Sequence, residues 1–123
     1  MTTASQLRDA LLALAKPTPK QLPPALAGVF PPGCFLRART AEEDVLMEKA
    51  LARLQPTEDA SDYEKGLKAV HIALSFSLCD ERGELVAMGE PSAFANLPSW
   101  TTVPLQDELT KIAKAEQADQ GKD

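Results

Sequence analysis

A chain of 123 residues with 44% hydrophobic and 25% charged residues has the size and composition of one soluble domain, which excludes disordered, collagen-like and membrane-embedded classes. Thirteen basic against eighteen acidic residues leave a net charge of −5; with no Lys/Arg cluster, this argues against nucleic acid as a partner. Nineteen Ala and seventeen Leu against five Val and two Ile tilt the chain toward helix.

The first element predicted is a helix within residues 1–16. Thr3 and Gln6 have capping-box spacing, Leu7, Leu11 and Leu14 recur at i, i+4 and i+7, and Pro17 stops the run. The segment lacks the basic start and small-residue cleavage site of a secretion signal. Residues 17–33 hold six of the ten prolines, plus Gly28 and Gly33. They read as an extended, proline-rich arm with Leu22, Leu26, Val29 and Phe30 as its anchors. Cys34 to Arg39 reads as a short edge strand with Arg37 and Arg39 on its solvent face. Thr40 and Glu43 form a second capping box, and Glu42, Glu43 and Asp44 suit the positive end of the helix dipole as a solvated acidic turn. Met47, Ala50, Leu51 and Leu54 share the apolar face of that helix, and Pro56 closes it.

After the polar stretch Thr57–Asp62, two periodicities compete. Ser61 with Glu64, and Leu67, Val70, Leu74 and Leu78, fit a helix of about 18 residues. Val70, Ile72, Leu74, Phe76 and Leu78 also alternate with smaller or polar residues, as in a strand leading through Asp80–Glu84 into a hairpin. The abundance of Ala, Leu and Lys over 64–74 favours the helix, with the hairpin at 70–88 left open. Ser92–Leu97 reads as one or two helical turns ended by Pro98, and Trp100 as a loop residue. A last helix from about Thr102 carries Leu105, Leu109 and Ile112 on one face, and Asp107 and Lys111 form an i, i+4 pair. The polar tail, 116–123, is expected to fray. The fold class is thus mainly α: a compact domain of three to four main helices within 34–115, with at most a short strand or hairpin, preceded by the arm.

Chemistry-bearing residues are few. His71 stands alone in the most apolar segment, without the converging donors that a metal needs. Cys34 and Cys79 read as reduced core thiols of a cytoplasmic protein rather than a disulfide framework or a Cys–His nucleophile. Ser75 and Ser77 lack nucleophile-elbow glycines, and no phosphate-cradling glycine loop occurs. No catalytic, cofactor or metal residue is therefore assigned, and a non-enzymatic protein is expected. Trp100, in its proline-flanked loop, either folds back over a core edge or is a docking site, since Trp is enriched in interface hot spots.

Two segments carry a resemblance. Phe35-Leu36-Arg37-Ala38-Arg39-Thr40-Ala41-Glu42-Glu43 and Ala73-Leu74-Ser75-Phe76-Ser77-Leu78-Cys79-Asp80-Glu81-Arg82-Gly83-Glu84-Leu85 resemble the tail assembly chaperones of long-tailed bacteriophages and prophages, over roughly residues 34–115. Pro31-Pro32-Gly33 departs from that family's pattern, as do Pro98, Trp100 and Pro104. The resemblance implies a helical adaptor in the host cytoplasm that coats the tape-measure protein and helps recruit tail-tube subunits, with self-association open; Leu105, Leu109 and Ile112, with Trp100 nearby, would then belong partly to its contact surface, the alternative being a plain core stripe. The alternatives are a head–tail joining or tail component retained in the virion, and a bacterial protein-interaction adaptor.

Overall fold

The computed structural model describes residues 2–14, 17–54 and 61–120. Pro56 as a helix stop, the polar stretch 57–60 and the end of the tail at 121–123 lie outside the described residues. The elements in chain order are α1 (Ala4–Leu12), β1 (Lys20–Gln21), α2 (Pro24–Ala27), β2 (Phe35–Leu36), α3 (Ala41–Ala52), α4 (Asp62–Ser75), β3 (Leu78–Cys79) and α5 (Thr102–Gln120). Short 3₁₀ turns at Pro91–Phe94 and Ser99–Thr101 precede α5. The fold is mainly α, with one small antiparallel sheet.

Local signals set the helix starts. Thr3 Oγ1 accepts from the Gln6 amide at 3.2 Å while Gln6 Oε1 accepts from the Thr3 amide at 2.9 Å, and Thr40 with Glu43 repeats the reciprocal pair. Ser61 caps α4 by accepting from the Glu64 amide at 3.1 Å. Each bond satisfies an otherwise unpaired amide of a first turn. Pro104 sits in the first turn of α5, where its missing N–H breaks no ladder bond.

Both periodicities of residues 61–79 are realised, one after the other. The helix is 14 residues long rather than about 18 and ends at Ser75. The Phe76 and Ser77 amides close it with bonds to Ala73 O and Leu74 O at 3.1 and 3.0 Å, and Leu78–Cys79 then runs as a strand. Asp80 organises the turn that follows. Its Oδ1 accepts from the amides of Arg82 and Glu84 at 2.9 and 3.0 Å, Gly83 takes φ +84, and Leu85 bridges back to Cys79. The left-handed conformation at Gly83 is one that a side chain would disfavour.

The sheet order is β1-β2-β3, with Lys20 opposite Leu36 and Phe35 opposite Cys79. The strand at Phe35–Leu36 is therefore central, not an edge, because the proline-rich stretch supplies a strand of its own on one side. That stretch is not a separate arm. Within it, α2 starts on Pro24 and buries Leu26 completely, and Phe30 joins the core. Leu22 and Val29 pack against the same cluster.

The core is built around α4. Val70 and Leu74 share one buried cluster with Leu105, Leu109 and Ile112 of α5, Phe94 of the first 3₁₀ turn, and Leu36 and Leu78 of the sheet. Each such side chain contributes about 1.5–3 kcal/mol through burial. Met47, Ala50 and Leu51 of α3, and Leu54 just past its end, are half-buried, the face predicted from their spacing; Glu43 in the first turn is half-buried too. The backbone helix of α5 continues to Gln120, past the expected start of fraying at 116.

Candidate functional site: a groove between three helices

The acidic turn does more than match a dipole. Arg37, expected on the solvent face, is 1% exposed, because the strand ends at Leu36 and the side chain turns inward. Its Nε donates to Gly83 O at 2.7 Å and its Nη1 to Ala38 O at 3.0 Å. Nη1 and Nη2 donate to the two Glu43 carboxylate oxygens at 2.7 and 2.8 Å. This fork ties the end of β2, the N-terminus of α3 and the 80–84 turn together, and it is the bidentate geometry for which guanidinium is suited. The Arg37 hydrogen bond holds the Glu43 carboxyl below its ordinary range, against the opposing effect of burial, and Glu43 in turn raises the Arg37 pKa. Arg39 reaches back over the same helix end to pair with Asp44.

With its N-terminus pinned, α3 leaves a gap along α4. The face of α4 toward it consists of small residues, Gly66, Ala69 and Ala73, which do not fill the space below Met47 and Leu51 of α3. The result is an open groove of about 650 Å³ between α3, α4 and α5. Leu109, Thr110, Ile112 and Ala113 form the α5 wall, while Gln106, Lys114 and the Arg39–Asp44 pair bring polar groups to the groove. A cleft lined by both apolar and polar groups, buried Arg37 and Ser77 among the latter, and within the size range of binding clefts, can take a mixed ligand or side chains projecting from another chain.

The residues assigned to partner binding separate. Leu105, Leu109 and Ile112 are core residues at 9% exposure or less. A stripe at helical spacing states only that one face is apolar, and here α4 and the 3₁₀ turn cover it. Leu109 and Ile112 still line the groove from their edge. Trp100 lies in the second 3₁₀ turn at 53% exposure, on the surface before α5. The groove itself was not visible in the sequence. Its one signal is the run of small residues at positions 66, 69 and 73 facing a helix of larger ones.

The nucleophile and metal candidates do not converge. The half-buried His71 ring stands 6.0 Å from the Phe94 ring at a 54° tilt, and burial lowers its pKa. Cys79 is opposite Phe35 rather than Cys34 in the sheet register; both thiols are free, and burial raises the pKa of each. Among the described residues, no three His, Cys, Asp or Glu side chains cluster to hold a metal ion, and no helix is long and apolar enough to cross a membrane. The chain matches no protein-family model, no curated protein and no solved structure.

Proposed function

We propose that this protein is a non-enzymatic tail assembly chaperone of a long-tailed phage or prophage, which shelters amphipathic helical segments of the tape-measure protein and helps recruit tail-tube subunits in the host cytoplasm. The observation that carries the reading is the open groove between α3, α4 and α5, whose mixed apolar and polar lining can receive one face of an amphipathic partner helix. The likeness of residues 35–43 and 73–85 to such chaperones supports the particular partner. The first of these segments holds the Arg37–Glu43 fork that fixes one wall of the groove. A net charge of −5 favours solubility when many copies coat one partner.

The test is co-expression with a candidate tape-measure fragment, followed by pull-down and light scattering. Capture that is lost in Ala69→Arg, with unfolding temperature retained, supports the proposal. No complex with any tail protein overturns it, and persistence of the chain in purified virions assigns it to the retained structural components instead.

A further inference from the structure

The charges around the groove run against those of the whole chain. Eighteen acidic residues outnumber thirteen basic ones overall, yet among the described residues the groove is lined by Arg37, Arg39 and Lys114 against Asp44 alone. Each helix turns its other acids away. On α3, Met47 and Leu51 face the groove while Glu42 and Glu48 lie off it. On α4 the groove face is Gly66, Ala69 and Ala73, and Asp62 and Glu64 sit outside it. On α5, Gln106, Thr110 and Ala113 line the groove at i, i+4 and i+7 together with Lys114, whereas Asp107 and Glu108 do not.

The one acid in the lining is already paired: Asp44 is held by Arg39 Nε. Glu43, which is not part of the lining, neutralises Arg37. Arg39 uses only Nε for its contact, so among the described residues its Nη1 and Nη2 make no hydrogen bond or ion pair, and exposed Lys114 makes no ion pair. A guanidinium edge with two N–H donors receives a carboxylate as a fork, and a cleft with charges of one sign attracts ligands of the other. The lining spans residues 44–51 of α3 and 66–73 of α4, about 12 Å or two turns along each helix, which matches a short helix. The phosphates of a nucleic acid would run beyond so short a stretch onto an acidic surface, and a second copy of this chain brings the same net charge of −5. Carboxylates on a short helix meet only the basic lining.

Resting on the groove as the helix site proposed above, we infer that its occupant is an acidic amphipathic helix, one whose apolar stripe is flanked by Glu or Asp. The apolar side chains of that helix rest on Met47, Leu51 and Ala69, and its carboxylates reach the Arg39 Nη edge and the Lys114 ammonium. Apolar burial supplies most of the affinity, while the charges select which helices are admitted and speed their arrival.

The experiment titrates the full chain against two labelled amphipathic peptides and reads fluorescence anisotropy. Both peptides have about 18 residues, long enough to hold a helix, and share one leucine stripe; Glu flanks it in one and Lys in the other. The expected result at low salt is that the Glu peptide binds about tenfold tighter than the Lys peptide, with the difference shrinking as salt screens the charges. Lys114→Glu should weaken binding of the Glu peptide about threefold to tenfold. Lys111→Glu, the same change of charge on α5 but off the groove, should alter it by less than about twofold. Thermal unfolding checks that both variants, at exposed positions, remain folded. Equal affinity for the two peptides, equal effects of the two lysine variants, or tighter binding of the Lys peptide or of a single-stranded oligonucleotide overturns the proposal. So does the absence of binding by either peptide up to on the order of 1 mM. Such a failure removes the acidic occupant alone, because the tape-measure partner is decided by the co-expression test, which uses no designed peptide.

Discussion

Removing the Glu43 carboxylate tests whether the buried fork holds the fold together. The Arg37 side chain is fully buried and that of Glu43 is 12% exposed, so Glu43→Ala leaves a guanidinium ion without its counter-charge inside the protein. Breaking a buried pair from one side costs about 3–5 kcal/mol. Arg37 retains its bonds to Gly83 O and Ala38 O, which places the loss near the lower bound, about 3 kcal/mol. For a domain of this length, about 4 °C of unfolding temperature per kcal/mol gives a drop of about 12 °C. The same loss moves a urea midpoint by about 1–3 M. Urea unfolding followed by circular dichroism reads this directly. The double variant Arg37→Met/Glu43→Leu removes both charges and should recover most of the loss, because apolar pairs of similar volume replace buried ion pairs at little cost. A Glu43→Ala shift below about 3 °C, or a double variant no better than the single, refutes the assignment of stability to the buried pair.

Stability should fall with acid in two steps. The pKa of His71 is lowered from 6.5 by burial and that of Glu43 is lowered from 4.5, chiefly by the Arg37 hydrogen bond. In both cases the unfolded chain takes up its proton first as pH falls, so each contribution is full above the unfolded value and is lost as pH drops through the folded one. Urea midpoints measured from pH 7.5 to 3.5 should decline first below about 6.5 and again below about 4.5, and His71→Leu should abolish only the first decline. Two glycines should respond with opposite signs. Gly83→Ala, at φ +84, should destabilise by about 1–2 kcal/mol, whereas Gly66→Ala, inside α4 with nothing within 4 Å of the added methyl, should stabilise by about 0.5–1 kcal/mol; calorimetry of the pair distinguishes them. Leu105→Ala should cost about 2–5 kcal/mol by opening a cavity, while half-exposed Trp100→Ala should change stability by no more than about 0.5 kcal/mol, as read from their unfolding temperatures.

Interactions between near neighbours in sequence were the legible ones. Thr3 with Gln6, Thr40 with Glu43 and Ser61 with Glu64 act across three residues, and each starts the helix that its spacing predicts. Fate after folding was less legible. Leu7, Leu11 and Leu14 have the same kind of spacing as Leu105, Leu109 and Ile112, yet one stripe is in water and the other in the core. Periodicity defines a face and carries no record of what covers it. Arg37 was misplaced for a related reason: alternation continues only while the strand does, and the bond that draws the side chain inward comes from Gly83, 46 positions away. The groove depends on how far α3 stands from α4, a distance that no local pattern encodes.

The central place of β2 bears on the order in which the molecule assembles. Phe35 pairs with Cys79 across a stretch of chain that carries α3 and α4. Closing so long a loop carries an entropic penalty that the few ladder bonds of two-residue strands do not outweigh. The helices, whose contacts are local, are therefore expected to form before the strands zip, an order that amide exchange during refolding would read. A chain emerging from the ribosome can pair β1 with β2 at once, but leaves the other edge of β2 open until β3 has been synthesised.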